Sequence, residues 1–420
     1  MSEAITKPDL PNAYDLPLDE VNPLNGELFQ NDAQWSYFER LRKEDPVHLT
    51  EDEEFGRYWH VTKFHDIMAV DKNHDVFSSE DGITIGPPIN APTERLQTRM
   101  FIAMDPPTHD VQRATVSPVV QPINLAKLED TIRQRAGSIL DSLPVGETFN
   151  WVDLVSIELT TQMLATLFDF PFEDRRKLTR WSDVATAAPG TVVESEEQRR
   201  EELLECLEYF TRLWNERVND EPGSDLISML AHGEETRHME PMEFLGNLIL
   251  LIVGGNDTTR NSITGGVLAL NENPAEYDKL RANPSLIPNM VAEIIRWQTP
   301  LAYMRRTANE DTILGGKQIK QGDRVLMWYL SGNRDDEVID RADEFIIDRD
   351  KARHHLSFGF GIHRCMGNRL AEMQLRVIWE EIHKRFDKVE VVGEPVRVMS
   401  SFVKGYSELP VRVHPKKKSH

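Results

Sequence analysis

The fold is decided by the stretch FGFGIHRCMG, residues 358–367 of the 420-residue chain. The residues that follow place apolar side chains at helical spacing, on Met366, Leu370, Met373, Val377, Ile378 and Ile382. This spacing predicts a helix over residues 366–386, with Cys365 at its N-terminus. Aligned peptide dipoles and free N–H groups at a helix N-terminus favour the thiolate, which is the form that binds metal or attacks carbon.

Glycines on both sides of the cysteine shape this segment. Gly359 and Gly361 allow a tight turn, and Gly367 leaves room beside the thiol for something large and flat. The pattern F-x-x-G-x-H-x-C-x-G resembles the haem-binding loop of the cytochrome P450 superfamily. In that superfamily the matching cysteine is the axial thiolate of the haem iron. The resemblance therefore implies haem b as cofactor, Cys365 as the metal ligand, and Phe358 among the cofactor-binding residues.

Haem carries two propionates, which need cationic partners when they lie partly inside a protein. His109 and Arg113 stand at i and i+4 and match a paired H-x-x-x-R motif of the superfamily. Arg306, His355 and His363 fall on positions where superfamily members contact the propionates. The resemblance thus implies that these five side chains bind the cofactor.

An acid and an arginine three residues apart, Glu293 and Arg296, precede the cysteine by about 70 residues. At this spacing both side chains share one helix face. The superfamily has such a pair on a helix that faces the proximal side of the haem. We therefore expect a buried structural brace, with Arg349 as its third member.

Residues 241–271 predict one long helix, because Pro241 fits the first helical turn and Pro274 lies just past the end. At 1.5 Å per residue this helix is about 45 Å long. Its middle, VGGNDTT at residues 253–259, interrupts an apolar run. These residues alone allow a bland interpretation, in which Thr258 bonds a backbone carbonyl and Asp257 forms a structural ion pair. The resemblance instead implies that Gly254 makes room for dioxygen and that Asp257 and Thr258 are catalytic residues that deliver protons.

The remaining pattern predicts a mainly α-helical chain with small β-sheets. The other predicted helices are residues 125–140, 151–169, 195–219 and 285–298, and the predicted strands are 47–49, 58–62, 312–314, 325–328 and 389–398. No repeat or linker divides the chain, so we expect one catalytic domain over residues 1–420, with flexible ends at about 1–20 and 416–420. The resemblance implies the cytochrome P450 fold, with haem between the long central helix and the helix after the cysteine.

Segments that line the substrate pocket in the superfamily map onto mostly apolar residues here. They contribute Ile83 (from the segment 83–89), Leu250, Val253, Leu301, Met304 and Phe402. Nearly the whole chain is similar to the soluble bacterial alkane hydroxylases, for example at residues 101–107, 159–171, 178–184 and 402–406. This similarity implies terminal hydroxylation of medium-chain n-alkanes to 1-alkanols.

Composition bounds the partners and the compartment. The chain has 48 Lys and Arg against 70 Asp and Glu, for a net charge of −22, which argues against nucleic acid or an anionic membrane as partner. Two cysteines make a disulfide framework implausible, the first twenty residues show no signal-peptide pattern, and no apolar run reaches the roughly 20 residues of a membrane span. We expect a cytoplasmic monomer without a stable membrane anchor.

No nucleotide-binding glycine motif, iron–sulfur cysteine cluster or flavin domain is readable, so the electrons must come from another protein. The resemblance implies a ferredoxin, itself reduced by an NAD(P)H-dependent ferredoxin reductase, with O2 as the co-substrate. A local basic patch near the thiolate side is predicted to steer this donor, and it comprises Arg113, Lys351, Arg353, Arg364 and Arg369.

Three alternatives remain open from the sequence. Within the same chemistry, the substrate is a fatty acid, a terpene or a sterol. Outside it, Cys365 and His363 form the nucleophile and base of a hydrolase, although such partners usually come from distant parts of a chain. The third is a haem carrier or sensor without turnover, against which the acid–alcohol pair at residues 257 and 258 argues.

Overall fold

The computed structural model describes residues 10–86, 96–187 and 190–416. Helix dominates these ranges, which confirms the predicted mainly α class with small sheets. The α-helices are α1 (Gly26–Gln30), α2 (Trp35–Glu44), α3 (Phe64–Lys72), α4 (Thr108–Val116), α5 (Pro122–Asp141), α6 (Glu158–Phe168), α7 (Arg176–Thr186), α8 (Glu196–Arg217), α9 (Leu226–His232), α10 (Pro241–Glu272), α11 (Pro274–Ala282), α12 (Ile287–Gln298), α13 (Tyr329–Gly332) and α14 (Asn368–Arg385).

The strands are short and form small sheets. They are β1 (Val47–Asp52), β2 (Gly56–Val61), β3 (Phe77–Ser78), β4 (Phe149–Asn150), β5 (Met304–Ala308), β6 (Thr312–Leu314), β7 (Lys317–Ile319), β8 (Arg324–Met327), β9 (Phe386–Val391), β10 (Val396–Arg397), β11 (Tyr406–Glu408) and β12 (Pro410–Pro415). The largest sheet has the order β1-β2-β8-β5-β3, and β2 and β8 are its parallel pair. The strands predicted at residues 47–49 and 58–62 are present, and they pair with each other, with His48 opposite His60.

Helix α10 crosses the helical part of the molecule. Pro241 occupies its first turn and the chain leaves it at Asn273, just before Pro274, as predicted. Its 32 residues give a length of about 48 Å. The helix packs against α6, α7 and α12. At Gly255 a Cβ atom would lie 2.7 Å from the side chain of Leu164, so glycine allows α6 to approach closely.

Among the residues that the structure describes, apolar side chains form three buried clusters. The largest fills the space around α10 and includes Trp151, Phe210 and Trp379. The other two lie against the five-stranded sheet, one around Phe64 of α3 and one around Trp328. The sheet thus has buried residues on both faces.

Three predicted elements differ from the structure. The strand predicted over residues 389–398 is two strands, β9 and β10, separated by a bend that contains Gly393. The helix predicted over 151–169 begins with a π-helical turn, Val152–Ile157, before α6. The helix predicted from residue 366 begins at Asn368, because the preceding Gly361–His363 segment is a separate 3-10 turn. Cys365 therefore lies three residues before the helix.

Part of the N-terminal end predicted to be flexible is packed in the structure. Residues Ala13–Asp15 and Leu18–Glu20 form 3-10 turns, and Tyr37 donates a hydrogen bond to the carbonyl of Pro11 at 3.0 Å. Residues 1–9 and 417–420 of the predicted ends, and residues 87–89 of the predicted pocket segment, lie outside the described residues. Within the described ranges, every helix is too short or too polar to cross a lipid bilayer.

Candidate active site

The cysteine loop is a tight turn whose shape depends on two glycines. Gly359 and Gly361 have φ angles of +64° and +69°, a region that favours glycine. The backbone N–H of Cys365 donates to the carbonyl of Phe358 at 2.7 Å and closes the loop. A Cβ atom on Gly361 would lie 2.5 Å from the carbonyl oxygen of Asp71, so the loop also sits directly against the end of α3.

The Cys365 side chain borders an internal cavity of about 390 Å³. Although it lies deep in the protein, its surface is accessible from within this cavity. Burial raises the pKa of the Cys365 thiol, while the Gly367 N–H and the cations Arg113 and Arg364 favour the thiolate. A bound cation at the sulfur would complete that stabilisation, since a metal-coordinated thiol is deprotonated.

The opposite wall of the cavity is the middle of α10. Gly254 borders the cavity, and a Cβ atom built there meets nothing within 4 Å. The same holds for Gly367 on the cysteine loop. Thr258 also borders the cavity, and its hydroxyl donates to the carbonyl of Gly254 at 2.9 Å, as the bland interpretation of the sequence expects. The missing side chains of Gly254 and Gly367 therefore leave the cavity open at both of these walls.

The Asp257 side chain points toward α7. It is fully buried, and its carboxylate accepts hydrogen bonds from Ser182 at 2.9 Å and Thr186 at 3.3 Å. Arg260 lies 3.1 Å from Asp257 Oδ1 and also pairs with Asp183 at 2.5 Å. Burial raises the pKa of Asp257, and Arg260 opposes this rise. Asp257 is thus joined to the cavity through Thr186, which borders it.

Three of the predicted propionate partners border the cavity: Arg113, Arg306 and His363. Arg306 donates to Asp71 at 2.9 Å and to the carbonyl of Arg305 at 2.8 Å. Arg113 donates to the carbonyl of Arg364 at 2.5 Å. These contacts fix the two guanidinium groups at the cavity edge.

The other two predicted partners lie one layer back from the cavity within the described residues. His109 packs against His363 with a ring separation of 4.3 Å, and its Nδ1 contacts Asp110 at 2.8 Å. His355 packs against Phe358 with a ring separation of 5.3 Å, and burial lowers its pKa to about 3. Phe358 itself borders the cavity, as predicted for a cofactor-binding residue.

The predicted brace lies together in the protein interior. Glu293 accepts from Arg296 at 2.7 and 2.8 Å and from Nε of Arg349 at 3.0 and 3.2 Å. The backbone N–H of Ile346 adds a further bond to Glu293 at 2.9 Å. Glu293 and Arg296 are fully buried and Arg349 nearly so. The group ties α12 to the segment that leads toward the cysteine loop.

The six predicted pocket residues Ile83, Leu250, Val253, Leu301, Met304 and Phe402 all border the cavity. Sequence reasoning missed further apolar wall residues, which include Met100, Phe101, Ile102, Leu164, Ala185 and Ile249. It also missed the hydroxyl of Thr186, whereas Thr84 lies within the predicted segment 83–89. The apolar stripes of α6 and α7 signal only that one face is buried, and they do not distinguish a cavity wall from solid core.

The residues around the cavity fit haem. His363 Nδ1 and His109 Nε2 are buried and have no hydrogen-bond partner among the described residues. Buried polar atoms of this kind normally have a partner, and a carboxylate group at the cavity edge would provide one. Cys365 offers a sulfur ligand, Arg113 and Arg306 offer charge for propionates, and the open space beside the two wall glycines accepts a flat ring.

Comparisons with known proteins agree with this fit. A family model described as Cytochrome P450 matches residues 161–403. Linalool 8-monooxygenase of Pseudomonas putida is 35% identical over 407 residues, which are 93% of this chain and 98% of that protein. Methyl-branched lipid omega-hydroxylase of Mycobacterium tuberculosis is 32% identical over 410 residues, 93% of this chain and 94% of that protein. The solved structure of cytochrome P450-153 from Novosphingobium aromaticivorans has a TM-score of 0.88 and 48% identity, covering 94% of this chain and 99% of that one.

Proposed function

This chain belongs to the cytochrome P450 family and is a haem-thiolate monooxygenase, and from this premise we propose that it hydroxylates medium-chain n-alkanes at the terminal carbon. When bound, haem supplies the reductive activation of O2, so that one oxygen atom enters a C–H bond and the other leaves as water. We assign Cys365 as the axial ligand, and Arg113, Arg306 and His363 as the groups that hold the propionates. His109 packs against His363, and His355 packs against Phe358, so both histidines support residues that border the cavity.

The apolar cavity wall is the observation that carries the substrate proposal. Side chains from five separate segments meet there, at Ile83, Phe101, Val253, Leu301 and Phe402. A largely apolar wall binds a hydrocarbon chain by excluding water and offers few groups to a polar substrate. The similarity of the sequence to bacterial alkane hydroxylases supports the same substrate. The relative that is an omega-hydroxylase of methyl-branched lipids supports attack at a chain end.

Asp257 and Thr258 serve proton delivery in this proposal. Thr258 Oγ1 stands at the cavity wall, where its hydroxyl donates to the carbonyl of Gly254, and rotation of that hydroxyl would let it donate into the cavity instead. Burial raises the pKa of Asp257, and Thr186 Oγ1, which donates to Asp257 Oδ2 and borders the cavity, connects this carboxyl with the cavity. A positioned acid–base group is worth about 10² to 10⁴ in rate.

Electrons come from a ferredoxin in this proposal, and an NAD(P)H-dependent reductase regenerates it. Arg364 is exposed next to Cys365, and Arg369 is exposed in the first turn of α14. Lys351 and Arg353 are exposed on the segment before the loop. These cations form a local positive surface on a chain of net charge −22. Such a surface attracts an acidic partner and raises its association rate.

A terpene alcohol is the second candidate substrate. Linalool 8-monooxygenase is similar over nearly the whole of this chain. The cavity also presents the hydroxyls of Thr84 and Thr186, which can bond a substrate alcohol. Binding distinguishes the two candidates, because a ligand next to the iron changes the haem absorption spectrum. Titration of the purified holoenzyme with n-octane and with linalool shows which one produces the change at lower concentration.

Product analysis tests the position of attack. The holoenzyme supplied with ferredoxin, reductase, NAD(P)H and n-octane is expected to yield mainly 1-octanol. Val253→Ala removes two methyl groups from the cavity wall next to Gly254, and we expect it to raise the ratio of internal to terminal alcohols by about tenfold. Val267→Ala, on the same helix, removes the same methyl groups from the solid core and is expected to leave that ratio unchanged. Mainly internal alcohols from the unmodified enzyme would contradict terminal attack.

A further inference from the structure

The carboxylate of Asp71, near the end of α3, joins two separate parts of the haem site. Asp71 is buried, with 2% of its surface exposed. Its Oδ1 accepts from Arg306 at 2.9 Å, and its Oδ2 accepts from the backbone N–H of Phe360 at 2.8 Å and from the Tyr329 hydroxyl at 3.0 Å. One side chain therefore satisfies three donors that belong to three different segments.

The contact of Asp71 with the Phe360 N–H fixes the cysteine loop. Phe360 lies between Gly359 and Gly361, both of which have positive φ. A Cβ atom on Gly359 would lie 3.1 Å from Asp71 Oδ2. The turn is thus pressed against the Asp71 carboxylate, which accepts the N–H at its centre. Any movement of this carboxylate moves the turn that carries Cys365.

The contact of Asp71 with Arg306 fixes the guanidinium group of that arginine. Arg306 borders the cavity, where it is assigned to a haem propionate. Asp71 and the carbonyl of Arg305 hold the guanidinium from the protein side. The carboxylate also offsets the positive charge of Arg306, because both groups lie in a buried setting where the interaction is little screened. Position and charge at the propionate edge thus both depend on Asp71.

We propose that Asp71 is a positioning residue for haem, which couples the placement of the cysteine loop to the orientation and charge of Arg306. This inference rests on the haem-thiolate site and is independent of the proposed alkane substrate. Outer-shell partners of metal ligands commonly change metal affinity 10- to 100-fold when they are replaced. A carboxylate that bonds both sides of the cofactor site is such a partner.

Asp71→Asn is the direct test, because the amide has nearly the same shape. An amide has one acceptor oxygen, whereas Asp71 accepts from three donors. Its NH2 group must face either Arg306 or the Phe360 N–H, and both of these are donors. The substitution also removes the protein carboxylate that offsets the charge of Arg306. A greater positive charge near the iron favours the reduced state, so we expect a raised reduction potential.

The holoenzyme is measured in three ways: transfer of haem to excess apomyoglobin, reduction potential, and unfolding by urea. For Asp71→Asn we expect haem transfer about tenfold faster and a higher reduction potential. Asp75→Asn, on an exposed side chain just past α3, is the matched control and is expected to match the parent in both readouts. Tyr329→Phe removes one donor and keeps the carboxylate, so we expect haem transfer to accelerate less than in Asp71→Asn and the potential to change little.

A purely structural role predicts a different result. In that case Asp71→Asn lowers the urea midpoint while haem transfer and reduction potential stay at the parent values, and the proposal is overturned. If Asp71→Asn cannot be obtained with haem, Asp71→Glu decides the question, because it keeps the charge and moves the carboxylate away from Arg306 and the Phe360 N–H by one methylene. Faster haem transfer in that variant supports the coupling, and the parent rate overturns it.

Discussion

Asp257 and Thr258 are neighbours in the sequence, yet their side chains lie on different faces of α10. Successive residues on a helix point about 100° apart, so Thr258 borders the cavity while Asp257 turns toward Ser182 on α7. The structural interpretation and the catalytic interpretation of these two residues are therefore compatible. Asp257 is paired with Arg260, and Thr258 bonds the carbonyl of Gly254, in the same arrangement that exposes one hydroxyl to the cavity.

Thr258→Ala tests the role of that hydroxyl. We expect the variant to keep haem and to bind substrate, because the change removes one methyl and one hydroxyl from an open wall. Without a positioned donor, reducing equivalents are expected to leave as hydrogen peroxide, and product per NAD(P)H should fall by at least about tenfold. The measurement is simultaneous assay of NAD(P)H, peroxide and alcohol.

Thr166→Ala on α6 is the control for this experiment. Its hydroxyl bonds the carbonyl four residues earlier, Gln162, at 3.1 Å, as Thr258 bonds Gly254, but it does not border the cavity. Unchanged coupling is expected there. Unchanged coupling in Thr258→Ala as well would reject the proton-delivery role.

Some residues of the site can be predicted from the sequence and others cannot. Cys365 and the pair Glu293 and Arg296 are recognisable because each belongs to a short pattern. Asp71 has no such pattern, since its partners Arg306 and Phe360 are 235 and 289 residues away. The wall residues Met100 to Ile102 escaped because the 3-10 turn Phe101–Ala103 is too short for a periodicity that shows which side faces a cavity.

At the scale of elements, the sequence predicts the long helices well and their junctions less well. Helix α10 agrees with its predicted bounds to within a residue, because proline marks both ends. The start of α14 differs by two residues, since the turn from Gly361 to His363 forms its own hydrogen bonds before the helix begins. The junctions depend on contacts with other segments, and the brace between α12 and the segment that leads toward the cysteine loop is such a contact.

Glu293→Gln tests the brace. The substitution leaves the guanidinium groups of Arg296 and Arg349 buried without a charge partner. Breaking a buried ion pair in this way costs about 3 to 5 kcal/mol in the free energy of unfolding. Urea unfolding of the holoenzyme, followed by circular dichroism and by haem absorbance, measures the loss.

The matched control is Glu344→Gln. Glu344 forms an ion pair with Arg341 at 3.3 Å, in which both side chains are 57% exposed. Solvent screens such a pair, so the free energy of unfolding should change little. Equal losses in the two variants would show that charge pairing in the brace is not what holds the segments together.

At the scale of the whole molecule, charge is unevenly distributed. The chain carries 48 cationic and 70 anionic side chains, yet Arg364, Arg369 and Arg353 are exposed around the cysteine side. The net negative charge of the chain repels an acidic ferredoxin at long range. The local positive surface attracts it. Because the Debye length is about 8 Å at physiological salt, the local surface dominates at contact distance.

Arg369→Glu is expected to slow reduction by ferredoxin by about tenfold at low salt and to weaken its dependence on salt. The rate of reduction by dithionite, which needs no docking, should stay the same. Arg212→Glu on α8, a helix that packs against α7, α9 and α10, reverses one charge elsewhere and should leave the ferredoxin rate unchanged. Stopped-flow reduction at several salt concentrations measures all three. A parent rate that does not fall with added salt would contradict electrostatic docking.

The cavity wall has a consequence for biosynthesis. Its residues run from Ile83 to Phe402, and the carboxylate that seats the cysteine loop, Asp71, lies shortly before that span. A nascent chain on the ribosome therefore cannot enclose haem until translation has passed Phe402. Cofactor capture must follow synthesis of nearly all of this span, so haem supply at that late moment determines how much of the newly made protein matures.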